Sequence, residues 1–175
     1  MTITITAAQD ADVPAILALL ERSGLPQDGL QEHVATTLVA RAGARVVGSA
    51  ALELYGTAAL LRSVAVATEL RGAGLGHRLT HAVLDLARQH GVTTVYLLTE
   101  TATDFFPRFG FRPTARAAVD SAVQQSVEFV SACPTSAHVL VATLDEAAEL
   151  HAASHIPHDA PHSTQIFNEE RDVSV

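Results

Sequence analysis

The stretch AALLRSVAVATELRGAGLG, residues 58–76, decides the fold of this chain. Its first ten residues are apolar at nearly every position, which is typical of a central strand covered on both faces. A glycine-rich turn, RGAGLG, follows, and leucine or valine then recurs at positions 75, 79, 83 and 86. The stretch therefore predicts a buried strand that ends in a tight turn and opens a long amphipathic helix.

The sequence after this helix predicts a second central strand. Gly91 is a natural helix terminator, and an apolar run from about Val92 to Thr99 follows it. Strand, turn, helix and strand make one β-α-β unit, so we expect its two strands to run parallel. Further on, DFFPRFGF at 104–111 predicts a short helix broken at Pro107. Residues 119–129 are predicted to be helical, and HVLVATL at 138–144 is predicted to be the last strand.

The sequence before residue 58 predicts antiparallel strands. Thr2 to Thr6 alternate threonine and isoleucine, and a helix follows that ends near Ser23 and Gly24. Residues 23–35 are predicted to be a loop with one short helical turn. TTLVAR and RVVGSAALEL then lead through short turns into the run at 58, and short turns favour antiparallel neighbours. The fold class is therefore α/β (α+β).

Composition excludes several classes of protein. The 175 residues are 48% hydrophobic, and all 11 basic residues are arginine against 19 acidic residues, for a net charge of -8. A nucleic-acid or anionic-membrane binder normally has the opposite sign. No apolar stretch approaches the roughly 20 residues that span a bilayer, and MTITITAAQD lacks the features of a secretion signal. We expect a cytoplasmic protein with one domain over residues 1–144 and an acidic, His-rich tail over 145–175.

The glycine-rich turn is suited to binding an anion. Backbone N–H groups at a helix N-terminus point outward, and glycine lets a pyrophosphate approach the backbone. A Walker-type loop would need a lysine, and a dinucleotide fingerprint would follow the first strand, so another phosphate-bearing cofactor is favoured. Glycines also cluster at ordinary strand-to-helix turns, and that alternative stays open on spacing alone.

The turn and the order of elements resemble the GCN5-related N-acetyltransferase (GNAT) superfamily. Its acetyl-CoA signature, R/Q-x-x-G-x-G/A, matches Arg71, Gly74 and Gly76, and LRSVAVATELRG resembles its entry strand. The likeness covers residues 1–144 and includes the F-F-x-x-F-G-F segment. The resemblance implies a mixed, mostly antiparallel sheet with a central parallel strand pair, flanking helices, and transfer of the acetyl group of acetyl-CoA to a small-molecule amine. No metal is implied.

A narrower likeness is carried by three segments. ALELYGTAALLRSVAV, YLLTETATDFFPRFGF and EFVSACPTSA resemble the arsenic-resistance N-acetyltransferase group. This implies an amino-acid-like toxin or an amine-bearing organoarsenical as acceptor. Trivalent arsenic itself needs two or three thiolates, and Cys133 supplies one, so a buried, inert cysteine is favoured.

The superfamily resemblance also implies the cofactor contacts. The backbone of Val64 and Val66 would pair with the pantetheine arm, and the N–H groups of residues 71–76 would hold the pyrophosphate. The implied cofactor-binding residues are Val64, Ala65, Val66, Arg71, Gly72, Ala73, Gly74, Leu75, Gly76 and Phe106.

Candidate catalytic groups are fewer than in most relatives. The tyrosine that commonly protonates the departing sulfur is replaced by Phe106, and the usual strand glutamate is replaced by leucine. The nearest carboxylates are Glu53, for which the alternative is to face solvent from its apolar strand, and Glu100, at the end of the second parallel strand. A water chain would connect either base to the amine.

Arg62 and Ser63 interrupt the most apolar strand and are candidate substrate-binding residues. Arg62 either clamps a substrate carboxylate or forms an ion pair with Glu53. Arg108 is a weaker carboxylate-binding candidate.

Because Phe106 stands where relatives carry a tyrosine, an alternative function is that of a non-catalytic acyl-CoA-binding regulatory module. His151 and His155, at i and i+4, would chelate a metal if helical, whereas a polar, Pro-interrupted tail is favoured. A homodimer is common among similar proteins, and the sequence leaves the oligomeric state open.

Overall fold

A single seven-stranded sheet organises the chain. The structure, a computed structural model, describes residues 1–144. The strands are β1 (Ile3–Ala7), β2 (Thr37–Ala42), β3 (Arg45–Tyr55), β4 (Ala58–Val66), β5 (Thr94–Thr99), β6 (Arg112–Pro113) and β7 (His138–Thr143). Their order across the sheet is β1-β2-β3-β4-β5-β7-β6.

The pairing confirms the predicted topology. β4 and β5 are parallel, and the other neighbouring strands are antiparallel. The parallel pair is joined through the long helix α2 (Leu75–Gln89), as the β-α-β pattern predicts. The predicted mixed, mostly antiparallel fold class is therefore confirmed.

Two α-helices supply most of the helical packing. Helix α1 (Val13–Arg22) has proline in its first turn, where a missing N–H costs nothing, and residues 16, 19 and 20 are buried. Helix α2 buries one face that includes Leu79, Val83 and Ala87. Shorter helical turns are Asp10–Asp12, Leu30–Thr36, Thr68–Leu70, Phe106–Phe109, Arg116–Ala118, Val123–Gln125 and the π-helical Glu128–Ala132.

The apolar residues form two clusters. The larger contains side chains of both α-helices and of strands β2 to β5, and the smaller joins Leu60, Tyr96 and Val123. Gly48 allows α2 to lie close to β3, since a Cβ there would stand 2.7 Å from the Leu79 Cδ1. All nine residues of β4 are buried, which explains why the strand is apolar at every position except Arg62 and Ser63.

The connection between β6 and β7 differs from the prediction. Instead of a helix over 119–129, the chain makes three short turns, because the backbone leaves helical angles at Val119 and at Ser126, each of which has ψ of 141°. Pro107 lies in the opening positions of the turn Phe106–Phe109 instead of breaking it. No helix within residues 1–144 has the length and apolar character to cross a bilayer. The predicted tail, 145–175, lies outside the described residues.

Candidate active site

Strands β4 and β5 separate at the middle of the sheet. Their pairing runs from Ala58 and Thr94 to Leu61 and Leu97, and β4 then continues to Val66 without a β5 partner. The register against β3 also shifts here, so β4 carries a bulge. The separation opens one edge of β4 over its last five residues.

Ser63 forms the bulge. Its φ of 57° lies in the left-handed region, and no other non-glycine residue within 1–144 has a positive φ. The Ser63 carbonyl accepts a hydrogen bond of 2.7 Å from the Ser49 hydroxyl, and its own hydroxyl lies 3.3 Å from the Arg62 Nε. These bonds hold a strained residue at the point where the two strands diverge.

The glycine-rich turn follows directly from this edge. Gly74, with φ of 81°, is the N-cap of α2, and Gly72 has φ of 77°. No side chain within the described residues caps the helix, and its first turn contains no acidic residue. Arg71 ties the turn to β4, since its Nε donates to the Val66 carbonyl at 3.0 Å. The first-turn N–H groups have no partners within the helix, so the turn fits a pyrophosphate.

Arg62 lies beside the bulge and is fully buried. Its Nη1 donates to the Glu53 Oε1 at 2.6 Å, and its Nη2 donates to the Asp28 carbonyl at 2.6 Å. Its Nε lies 3.2 Å from the Glu128 Oε1. The structure thus forms the ion pair with Glu53, which was the second of the two alternatives for Arg62. A substrate-binding role for Arg62, Ser63 or Arg108 stays a prediction.

Glu53 does not face solvent, and that alternative is wrong. Its side chain is 1% exposed because it points toward Arg62. Tyr55 donates to the Glu53 Oε2 at 2.6 Å, and the His33 Nε2 lies 3.6 Å from the Oε1. The buried carboxylate therefore has charged or polar neighbours on every oxygen.

The two glutamates on Arg62 differ in their electrostatics. Burial acts to raise the pKa of Glu53, but hydrogen bonds from Ser126, Tyr55 and Arg62 outweigh it and hold that pKa below its ordinary value. Burial raises the pKa of Glu128, and the nearby Arg62 only partly offsets it. Glu53 therefore carries the negative charge of the pair, and Glu128 is the group that takes up a proton more readily.

A cleft of about 420 Å³ opens over Glu53. Its wall combines residues of the turn Leu30–Thr36, the end of β3 and the connection between β6 and β7. The lining residues are Glu32, His33, Glu53, Tyr55, Gln125, Ser126, Val127 and Val130. Burial, and then the bond to Glu53, raises the pKa of Tyr55 to about 12, so its phenol stays protonated and donates to Glu53. The cleft thus has an anionic floor.

His33 is held in place by its own backbone. It lies at a kink in Leu30–Thr36, with φ of -116° and ψ of 17°. Its carbonyl accepts hydrogen bonds from the hydroxyls of Thr36, at 3.3 Å, and Thr37, at 2.8 Å. The imidazole is thereby directed to the cleft beside Glu53.

The sequence prediction missed His33 and Glu128 as parts of this site. His33 lies in a loop whose geometry its sequence does not encode, and Glu128 is 75 positions from Glu53. The one sequence signal for this site was the charge of Arg62 in an apolar strand. A buried charge requires acidic partners, but the sequence does not identify them.

The remaining predicted residues lie outside the cleft lining. Glu100 is exposed just after β5, and Arg108 is exposed with its guanidinium 5.0 Å from the Phe105 ring centroid. Phe106 has no exposed surface and packs on other aromatic rings. Its ring centroid lies 5.0 Å from that of Phe105 and 5.7 Å from that of Phe111. Catalysis by Glu100, and contact of Phe106 with a cofactor, stay predictions.

Cys133 is half-buried and protonated. Its thiol donates to the Glu128 Oε2 at 3.5 Å, and burial, followed by the charge of Glu128, raises the Cys133 pKa to about 12. Within residues 1–144, no group of three metal-ligating side chains exists. His151 and His155 lie outside the described residues.

Comparison with known proteins agrees with this geometry. Residues 33–113 match the family model of the acetyltransferase (GNAT) domain. Amino-acid acetyltransferases of two Neisseria meningitidis strains are 26% identical over 119 residues, which are 63% of this chain and 27% of those proteins. The chain thus spans about a quarter of the length of these curated relatives.

Solved structures show the same fold. The N-acetylglutamate synthase of Neisseria gonorrhoeae, complexed with coenzyme A and N-acetyl-glutamate, has a TM-score of 0.71 at 22% identity, over 83% of this chain and 36% of that one. The Rv2747 protein of Mycobacterium tuberculosis, in complex with CoA, has a TM-score of 0.69 at 26% identity, over 81% of this chain and 99% of that one. The chain therefore has the fold of the GNAT acetyltransferases, and the family model matches its residues 33–113. The arsenic-resistance group is a finer assignment that these likenesses leave as a proposal.

Proposed function

We propose that the chain is an acetyl-CoA-dependent N-acetyltransferase that acetylates the amine of a small molecule directly, without a covalent enzyme intermediate. One observation supports this most: the diverging edge of β4 lies between the glycine-rich turn, whose geometry is suited to a phosphate, and an anionic cleft. Arg62 and Ser63 connect the two, since Arg62 bonds to Glu53 on the cleft side and to Ser63 at the bulge. A cofactor and an amine can therefore approach one another from opposite sides of the same strand.

The cofactor side rests on backbone groups. Val64, Ala65 and Val66 would pair with the amide-bearing arm of acetyl-CoA as an added strand. The N–H groups of residues 71–76 would hold its pyrophosphate. When bound, acetyl-CoA supplies an acetyl thioester whose carbonyl carbon bonds to the amine nitrogen while the carbon–sulfur bond breaks. Gly72 and Gly74 both have positive φ, so replacing either with another residue would strain the backbone of the turn.

The cleft side supplies the proton acceptor. An amine attacks only as the free base, so its ammonium form must lose a proton first. His33 lines the cleft and lies 3.6 Å from the ionised Glu53, which would stabilise the imidazolium that forms. Tyr55 and Arg62 fix the Glu53 carboxylate from its other sides. Glu100 is the alternative base, and its exposure gives it no comparable partner among the contacts described.

The departing sulfur has no phenol to protonate it at the Phe106 position. A coenzyme A thiolate is a fairly good leaving group, and losing one general acid costs on the order of 10²-fold to 10⁴-fold. Water replaces the acid in this proposal. The same feature motivates the alternative of a non-catalytic acyl-CoA-binding regulatory module.

The acceptor belongs to the small-molecule amines. The amino-acid acetyltransferases to which the chain is similar, and the segments that resemble the arsenic-resistance group, place amino acids, amino-acid-like toxins and amine-bearing organoarsenicals in the panel to be tested. A homodimer and a cytoplasmic location also stay predictions, which sedimentation and cell fractionation would test.

The test is thiol release from acetyl-CoA across this panel, with mass spectrometry of the acetylated product. We expect turnover with at least one amine, and a loss of about 10²-fold or more in kcat for His33→Gln. Glu21→Gln, an exposed change on α1, is the matched control and should leave kcat unaltered. Tight CoA binding without turnover for any amine would favour the regulatory module instead.

A further inference from the structure

We infer that the cleft selects a small cationic amine that carries no carboxylate next to its amino group. The inference rests on the proposed function only in treating the cleft as the acceptor site. Such selectivity would distinguish this chain from the similar N-acetylglutamate synthase of Neisseria gonorrhoeae, whose solved structure contains N-acetyl-glutamate.

The charge of the cleft lining favours a cation. Glu53 lies at the floor and Glu32 is exposed at the edge, and both line the cleft. The other polar groups of the lining are the neutral phenol of Tyr55, the Ser126 hydroxyl, the Gln125 amide and His33. No arginine is among the lining residues of the described chain, and the sequence contains no lysine.

Arg62 is the nearest cation, but its donors are already used. Nη1 is bonded to Glu53, Nη2 to the Asp28 carbonyl, and Nε lies against Glu128 and Ser63. Its side chain has no exposed surface. Turning it toward a ligand carboxylate would leave two buried glutamates without a counter-charge, which is strongly unfavourable.

A carboxylate next to the amine would therefore enter without a partner. Once the ammonium lies near Glu53, an α-carboxylate lies within a few ångströms of the same negative charge, and like charges at that range repel. The apolar wall of Val127 and Val130, the latter 71% exposed, instead fits a methylene chain. The lining thus suits an alkyl amine better than an α-amino acid.

The experiment compares amines that differ only in the carboxylate. Cadaverine against lysine, putrescine against ornithine, and agmatine against arginine are the matched pairs. Binding is measured by titration calorimetry on the protein saturated with CoA, and turnover by thiol release with acetyl-CoA. We expect the carboxylate-free member of each pair to bind at least tenfold more tightly. Equal or tighter binding of the amino acids would overturn the inference.

Two measurements keep this inference separate from the proposed function. If the carboxylate-free amines bind selectively but none is acetylated, the inference holds and the acetyltransferase proposal fails. If amino acids are the better substrates, the enzyme stands and the inference fails.

A charge reversal tests the physical cause. Glu32→Arg places a cation at the edge of the cleft, and we expect it to reduce the preference for the carboxylate-free member by at least fivefold. Glu21→Arg, the same charge change on α1 away from the cleft lining, is the control and should leave the preference unaltered. An unchanged preference in Glu32→Arg would show that charge in the cleft does not set the selectivity.

Discussion

Replacing Arg62 with methionine tests the buried ion network most directly. The substitution keeps an unbranched chain near the backbone but removes the guanidinium, which is the one group within the described residues that contacts both Glu53 and Glu128. Both carboxyl groups are nearly inaccessible to water, at 1% and 4% side-chain exposure. The Asp28 carbonyl loses its donor as well.

The expected loss of stability is large for one substitution. Breaking a buried ion pair by removing one partner costs about 3–5 kcal/mol, because an uncompensated charge stays in the interior. Native domains are stable by only about 5–15 kcal/mol in total. The variant should therefore lose roughly a fifth or more of its free energy of unfolding at pH 7.

The pH dependence gives the substitution a signature that poor packing would not. Without Arg62, burial should raise the pKa of Glu53 above its value in the unfolded chain, as burial already raises that of Glu128. A group with a raised folded-state pKa contributes stability at low pH and loses it as the pH rises through that pKa. The deficit of Arg62→Met should thus be largest at pH 7–8 and shrink by pH 5.

Urea unfolding at pH 5, 6, 7 and 8 measures this deficit. Arg112→Met, at an exposed position of β6, is the matched control and should change stability by less than about 0.5 kcal/mol at every pH. A deficit in Arg62→Met that is below 1 kcal/mol, or that does not vary with pH, would refute the reasoning.

Three further predictions concern the same region. Gly29→Ala should cost about 1–3 kcal/mol in urea unfolding, because φ at Gly29 is +80° and a Cβ would stand 2.9 Å from Val127 and 3.1 Å from the Arg62 Nη1; a neutral outcome would show that this loop is not held against Arg62. Ser63→Val should destabilise the folded chain more than Ser63→Gly, because a β-branched residue is strained at φ of 57° and glycine is not. Equal thermal midpoints for the two variants would contradict the assigned bulge. Glu128→Gln should flatten the stability curve between pH 5 and pH 8, because the raised pKa of Glu128 makes the parent chain lose stability as pH rises through it, and an unaltered curve would argue against that assignment.

The network explains why a charged residue persists in the most apolar strand of the chain. Arg62 joins three separate segments: the loop at Asp28, the strand residue Glu53, and the turn that begins at Glu128. Each of these segments also lines or supports the cleft. A change at Arg62 should therefore alter acceptor binding and stability together, whereas a change at His33 should alter activity with little effect on stability.

The local pattern of the sequence determined the order and type of most elements. The apolar run at 58–67, the glycines after it and the helix periodicity are signals carried by neighbouring residues, so the parallel strand pair and its connecting helix were predictable. The glycine-rich turn was predictable for the same reason, since its geometry depends on local backbone angles at Gly72 and Gly74, whereas its binding of a phosphate stays a prediction.

Only the tertiary structure decided the cleft. Glu53 points inward instead of to solvent because Arg62 on the next strand and Glu128, far along the chain, surround it. Alternation along β3 cannot distinguish a buried, paired glutamate from an exposed one, because the energy of burying the charge depends on partners brought by long-range folding. The turns at 112–137 likewise follow from what they cover, so their course and the position of His33 beside Glu53 required the assembled structure.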